Sequence, residues 1–251
     1  MSFRADLRGK RALVTGASSG LGTYFAQTLA SSGAEVILAA RRKAQLDAVA
    51  EQISSGGGLA QTIELDVNSR TSLREAASRW GRLDILVNNA GVTNSKPLFE
   101  QTEADWDAIL GTNLKGAWLV AMEAARTMKE GGTGGSIINV ASILGLRQAG
   151  RVTPYAVSKA GTIQLTKQLG LELARFQIRV NALAPGYFET DLNQEFFASD
   201  AGTALIRRIP QRRLGSLDDL AGPLLLLASE ASTYMTGAVL TVDGGHLLSS
   251  L

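Results

Sequence analysis

A chain of 251 residues is long enough to build one large α/β domain with a substantial core. Its residues are 45% apolar and 19% charged, with 27 glycines, a globular profile rich in tight turns that excludes a disordered chain. A formal net charge of only +2 argues against a nucleic-acid-binding surface, and the lack of cysteine excludes disulfides and thiolate metal sites.

The first ten residues carry Arg4, Asp6, Arg8 and Lys10 where a signal peptide would have an apolar run. No stretch approaches the ~18 apolar residues of a membrane span, so a cytoplasmic protein with no membrane partner is expected. Further along, apolar strand-like runs alternate with amphipathic stretches, the pattern of βαβ units and a parallel sheet. A strand over 11–15 feeds a helix over 20–32, and a strand over 35–40 precedes a helix over 44–54. Gly56-Gly57-Gly58 reads as a flexible connector at the bottom of the sheet. Five more strands are expected at 60–65, 84–87, 136–140, 178–182 and 238–242. Two long helical segments, 106–129 and 154–175, lie between them, with Leu114, Val120 and Ala124 on one and Ile163, Leu165 and Leu169 on the other. With no repeat and no linker, the expected architecture is a single doubly wound Rossmann-type α/β domain over 1–251. It would hold a seven-stranded parallel sheet with helices on both faces, and 188–213 as a helical flap closing on the substrate.

Chemistry-bearing residues gather at the ends of the predicted strands. Gly16, Gly20 and Gly22, with Ser18, Ser19 and Leu21 between them, sit where the first strand hands over to a helix. Glycines there let the backbone turn sharply and approach a pyrophosphate, which helix N-terminal amides then meet. The second strand ends Leu38-Ala39-Ala40-Arg41-Arg42-Lys43, without the acid that binds a ribose 2′-hydroxyl in NAD sites. An arginine fork matches a 2′-phosphate instead. Cations at a helix start oppose the helix dipole, so Arg41 and Arg42 read as NADP(H) ligands rather than as solvated charges. Tyr155 and Lys159 lie four apart on a helix and so share a face. A fixed ammonium beside the phenol would favour phenolate, making Tyr155 a proton donor and acceptor for carbonyl chemistry.

Taken together, Thr15-Gly16-x-x-x-Gly20-x-Gly22, Asn88-Asn89-Ala90-Gly91, Asn113, Ser142, Tyr155 with Lys159, Pro185-Gly186 with Thr190, and Val242-Asp243-Gly244-Gly245 closely resemble the short-chain dehydrogenase/reductase family. The resemblance covers nearly the whole chain. It implies hydride transfer between C4 of a nicotinamide and a carbonyl carbon, with Tyr155 moving the proton and Ser142 hydrogen-bonding the substrate oxygen. Lys159 would lower the Tyr155 pKa and hold the nicotinamide ribose, and Asn113 would hold a water in a proton relay. Aligned on the family, Ala40 takes the place of the acid and Arg41 follows it. The resemblance further implies adenine contacts from Asp66 and Val67, a bracing turn at Asn89, Ala90 and Gly91, and nicotinamide contacts from Pro185, Gly186 and Thr190. It sets the substrate against Ser142, Leu144, Val152, Tyr155 and Tyr187, with Ile143, Leu146, Phe188, Leu192, Phe196 and Phe197 nearby, and points to a homotetramer.

Other chemistries fare worse. A Ser-His-Asp triad needs a histidine, and the sole one, His246, stands five residues from the C-terminus, where a surface or subunit-contact role is expected. The acids Glu100, Glu103, Asp105 and Asp107, like Asp218, Asp219 and Glu230, read as solvated helix starts, and no metal cluster is expected. Arg147 and Arg151 read either as solvated or as anchors for a carboxylate or an acyl-carrier phosphate, the latter with Arg175 and Arg179 as candidates for a docking patch. The expected activity is an NADP(H)-dependent ketoreductase, a carbonyl reductase or alcohol dehydrogenase, acting on an apolar or aryl compound. The alternatives are a 3-oxoacyl-(acyl-carrier-protein) reductase, a sugar-acid or polyol dehydrogenase, and a nicotinamide-binding sensor. Intact Ser142, Tyr155 and Lys159 disfavour the sensor.

Overall fold

The computed structural model describes residues 5–189 and 194–248. Seven strands form one sheet: β1 (Arg11–Thr15), β2 (Glu35–Ala40), β3 (Leu59–Glu64), β4 (Ile85–Asn88), β5 (Gly135–Val140), β6 (Ile178–Pro185) and β7 (Val239–Val242). Their order is β3-β2-β1-β4-β5-β6-β7, and every pairing is parallel. Each predicted strand is present, with ends shifted by at most one residue except in β6. That strand runs on to Pro185, because Leu183 and Ala184 stay buried between β5 and β7.

Period-two alternation assigns each strand's side chains to two faces. Val36 and Leu38 of β2 join a core with Phe25 and Leu29 from α1 (Gly20–Ser31), and with Leu46 and Ile53 from α2 (Lys43–Ser55). Ile37 and Ala39 turn the other way, toward Leu73 and Trp80 of α3 (Arg70–Trp80). The sequence reading missed α3, whose mean hydropathy is low because only Leu73, Ala76 and Trp80 face inward. Its start is set by Ser69, whose Oγ accepts from the Ser72 amide at 3.2 Å. Its end is pinned by Trp80, whose indole donates to Thr127 Oγ1 at 3.1 Å.

The long segment expected over 106–129 is not one regular α-helix. It runs as α4 (Glu103–Leu110), a π-helical turn over Gly111–Gly116, and α5 (Ala117–Gly131). A capping box starts α4: Thr102 Oγ1 accepts from the Asp105 amide, and the Asp105 carboxylate accepts from the Thr102 amide. Asp105 also binds Lys96 at 2.7 Å, so it is not a solvated start; Lys96 and the Thr102 groups hold its carboxyl down at about 2. The second long segment is α6 (Thr153–Leu173), begun by Pro154, whose missing amide costs nothing in the first turn.

Where a helical flap was expected, the described residues contain two short helices, α7 (Gln194–Ala198) and α8 (Asp200–Ile206). The last helix, α9 (Ala221–Ala228), was also not foreseen. It places Leu224 and Leu227 in the same core as α1. Asp219 caps the turn before it and pairs with Arg213, and Asp218 accepts from the Tyr24 hydroxyl at 2.9 Å. No helix among the described residues is long and apolar enough to cross a membrane. The strand order reverses direction between β1 and β4, which opens a crevice at the C-terminal ends of the strands.

Candidate active site

That crevice is a cavity of about 710 Å³. Its walls include Gly16, Ser18, Ser19, Gly20, Leu21 and Gly22 from the turn after β1. Gly22 is there because a Cβ would lie 2.2 Å from the Gly16 carbonyl oxygen. Gly20 is different: at φ +55° its missing Cβ would meet nothing within 4 Å, so the turn leaves open space on the cavity side. Bare backbone beside a helix start, bordering such a space, fits a dinucleotide pyrophosphate. Behind the turn, Thr15 Oγ1 accepts from the amides of Asn89 and Ala90, both at 3.0 Å, and Asn89 Nδ2 donates to the Thr15 carbonyl. Thr15 therefore braces two cavity walls, a role the sequence reading did not give it.

Arg41 and Arg42 line the same cavity at the end of β2, and no acid accompanies them there. Arg42 donates from Nη2 to Ser18 Oγ at 2.9 Å and to Ser19 Oγ at 2.8 Å, tying the end of β2 to the glycine turn. Asp66 and Val67 follow β3 and line the next stretch of wall, with Asn68, which donates to Thr112 Oγ1 at 2.9 Å. Asn89, Ala90 and Gly91 follow β4, and Pro185 and Gly186 end β6, all in the wall. Thr190 and Leu192 lie outside the described residues.

Ser142, Tyr155 and Lys159 meet in the cavity wall. β5 delivers Ser142 two residues beyond Val140, and the first turns of α6 deliver Tyr155 and Lys159. Ser142 Oγ accepts from the Leu144 amide at 3.1 Å, and its hydroxyl shares the wall with the Tyr155 phenol. Lys159 is buried and donates from Nζ to the Val140 carbonyl at 2.7 Å, with Nζ 5.6 Å from the centre of the Tyr155 ring. Burial pulls the Lys159 ammonium down to about 8. The expected lowering of the Tyr155 pKa by Lys159 is not what these residues produce. Burial pushes the phenol up; the nearby Ser142 hydroxyl opposes this and Tyr187 adds to it. Lys159 is spent on Val140, and desolvation outweighs the Ser142 hydroxyl.

Asn113 sits in the π-helical turn, buried, but is not part of the cavity wall. Its Oδ1 accepts from the Val92 amide at 2.7 Å, while Nδ2 donates to the Val92 carbonyl at 2.9 Å and to Ser158 Oγ at 3.0 Å. The side chain expected to hold a water thus stitches the loop after Gly91 to α6. Asn88 is equally structural, donating to the Ala117 carbonyl at 2.7 Å.

The substrate end departs further from expectation. Tyr187 lines the cavity, but Leu144 and Val152 do not. Ile143 and Phe197 are buried outside the cavity wall, whereas Phe188, in one core cluster with Leu220 and Leu224, also lines the cavity beside Tyr187. Arg147 is not simply solvated, since its Nη1 donates to the His246 carbonyl. Nor is His246 a surface residue: it is 5% exposed, with its ring 5.4 Å from that of Tyr187. The four arginines form no patch. Arg179, at the start of β6, donates to the Leu227 and Ser229 carbonyls and to Ser232 Oγ. Arg175 stacks on Phe176 just before that strand, so both lie at the sheet edge opposite the cavity.

Known proteins share this arrangement. A family model described as enoyl-(acyl carrier protein) reductase matches residues 16–246. The chain is 40% identical over 246 residues to 3-oxoacyl-(acyl-carrier-protein) reductase FabG of Thermotoga maritima, covering 96% of this chain and 99% of that one. It is 36% identical to gluconate 5-dehydrogenase of Gluconobacter oxydans, with 97% of each chain covered. A gluconate 5-dehydrogenase from Burkholderia cenocepacia, solved in complex with NADP and tartrate, superposes with a TM-score of 0.93 at 37% identity over 97% of both chains. A glycine turn after β1, a Ser-Tyr-Lys group at the cavity wall and relatives matched end to end lead to one conclusion: the chain belongs to the short-chain dehydrogenase/reductase family, nicotinamide-dependent oxidoreductases acting on CH–OH groups.

Proposed function

We propose that this protein is an NADP(H)-dependent oxidoreductase that interconverts a ketone and a secondary alcohol. The observation that carries the reading is the Ser142, Tyr155 and Lys159 group in the wall of a cavity that also holds Arg41 and Arg42, with Ala40 rather than an acid at the end of β2. When bound, the nicotinamide supplies or accepts the hydride. Gly16, Ser18, Ser19, Gly20, Leu21 and Gly22 hold the pyrophosphate, Asp66 and Val67 the adenine, and Asn89, Ala90, Gly91, Pro185 and Gly186 the remainder, with Thr190 expected to join them. Arg41 and Arg42 meet the 2′-phosphate, which an acid at Ala40 would repel. The Burkholderia relative crystallised with NADP supports that choice.

Tyr155 gives its proton to the substrate oxygen in reduction and takes it back in oxidation. Ser142 donates to the same oxygen and stabilises the charge that develops on it. Lys159, held beneath the Tyr155 ring, supplies positive charge to the phenolate left behind and reaches the nicotinamide ribose. Asn113 acts at one remove, holding the Val92 loop against α6.

An apolar or aryl ketone is the first reading of the substrate, resting on Tyr187 and Phe188 in the cavity wall. A second reading has a specific observation behind it. Ile143 and Phe197 are consumed by packing, which leaves the hydroxyls of Ser142, Tyr155, Thr93 and Tyr187, with the Phe188 ring among them, to meet the substrate and favours one with several oxygens. The named relatives, a 3-oxoacyl reductase and gluconate dehydrogenases, support this second reading. The substrate-closing flap is proposed for α7 and α8, and a homotetramer for the assembly. NADPH and NADH consumption with acetophenone, acetoacetyl-coenzyme A and 5-ketogluconate tests the whole. NADPH-linked turnover of any of the three is expected, and the compound turned over fastest selects the substrate reading. Turnover with NADH alone would overturn the cofactor assignment, and none with either would overturn the reaction.

A further inference from the structure

Tyr187 enters the cavity two residues beyond the end of β6, beside Ser142 and Tyr155. Tyr187 also borders a second cavity of about 350 Å³, which Asp243, Gly244 and Gly245 line as well. An aromatic ring standing between two spaces can swing into either unless something fixes it, because close packing is what locks a rotamer. Two rings do so here. Phe197 meets Tyr187 edge-on at 6.1 Å and 78°, and His246 lies against it at 5.4 Å and 42°.

His246 is itself held from three directions. The Asp243 carboxylate accepts from the Gly245 amide at 2.9 Å and the Leu247 amide at 2.8 Å, and the His246 amide donates to the Asp243 carbonyl at 3.1 Å. The His246 carbonyl accepts from Arg147, five residues beyond Ser142. The C-terminal turn is thereby bound to the loop that carries Ser142, while its imidazole presses on the ring facing Tyr155.

We infer that His246 is a positioning residue: through the C-terminal turn it sets the Tyr187 ring at the substrate end of the cavity, and Arg147 keeps turn and Ser142 loop in register. The inference rests on the proposed reaction, but the contact can be read without it. His246 is the sole histidine, so its imidazole gives a single, unambiguous nuclear magnetic resonance signal. Tyr187→Leu should shift that signal by removing the ring current, whereas Phe99→Ala, at a fully exposed site, should leave it in place. His246→Ala should raise KM about tenfold for whichever of acetophenone, acetoacetyl-coenzyme A or 5-ketogluconate the protein reduces fastest, with kcat and NADPH affinity changed less than about twofold. His246→Phe retains a ring and should bring KM most of the way back.

A signal indifferent to Tyr187→Leu would overturn the inference. So would losses shared equally by KM, kcat, NADPH affinity and melting temperature with no rescue by phenylalanine, since that is how a mere volume filler behaves. If His246→Ala does not fold, the phenylalanine variant and the resonance decide, and the resonance alone decides if none of the three compounds is reduced. Tyr155→Phe separates the two levels. Retained turnover in that variant would sink the proposed chemistry and leave the His246 contact standing. Lost turnover beside an unchanged KM in His246→Ala would sink the positioning role alone.

Discussion

Lys159 Nζ lies 5.6 Å from the centre of the Tyr155 ring, yet it donates its 2.7 Å hydrogen bond to the Val140 carbonyl. The two residues share a helix face, and the strand next to them competes for the ammonium. The pair is therefore poised rather than coupled, with a phenol pushed up by burial and an ammonium pulled down to about 8. A ribose hydroxyl or a substrate oxygen arriving between them would replace solvent and change both. Four predictions follow from this and neighbouring geometry.

Tyr155→Phe keeps the ring against Lys159 but removes the proton carried to the substrate oxygen. Turnover should fall by about 10²–10⁴-fold, the usual worth of a positioned acid–base group, with NADPH binding intact. Steady-state rates beside calorimetric NADPH titration check this, and near-normal rates would reassign the proton.

Lys159 sets a pH dependence of stability. Its folded pKa of about 8 lies below its ordinary 10.5, so below 8 the folded chain carries a buried cation and its stability is lowest. Between those values the unfolded chain holds more protons, and stability should rise with pH across that window. A shift of this size corresponds to an upper bound of about 3 kcal/mol. Lys159→Met should flatten the rise in denaturant midpoint from pH 7.5 to pH 10, while abolishing turnover. A variant that kept the wild-type slope would place the titration on another group.

Arg41→Asp sets a carboxylate where a 2′-phosphate is proposed to sit. Replacing attraction by repulsion is worth about 2–3 kcal/mol, so the ratio of kcat/KM with NADPH to that with NADH should fall by roughly 30- to 150-fold. An unchanged ratio would remove Arg41 from the phosphate site and leave Arg42 to account for it.

Gly22→Ala forces a methyl group to within 2.2 Å of the Gly16 carbonyl and 2.7 Å of Asn89 Nδ2. Neither neighbour can yield without breaking the Thr15–Asn89 brace. The variant should lose about 1–3 kcal/mol of stability, as overpacked sites do, and most of its NADPH affinity. Wild-type affinity in a folded Gly22→Ala protein would show that the turn tolerates relaxation.

Local pattern was enough for the strands, the glycine turn and the Arg41–Arg42 pair, and the family resemblance added Asp66 and Ser142. Apolar runs such as 35–40 are short, buried on both faces and bounded by glycine or charge, so their limits emerge without tertiary knowledge. The glycine turn, Arg41, Arg42, Asp66, Ser142 and Tyr155 all follow strand ends, and a parallel sheet gathers such positions at one edge whatever the details. Tertiary structure decided what competes for each side chain. Whether Lys159 serves Tyr155 or Val140, and whether Asn113 faces a water or the Val92 backbone, depend on partners 19 and 21 residues away in sequence. His246 is the plainest case. Five residues from the C-terminus, it reads as a surface or subunit-contact residue, yet the packing of Tyr187 and the reach of Arg147 across 99 residues help to bury it. Periodicity records which way a residue points, but burial and hydrogen-bond choice are settled by what the fold brings against it.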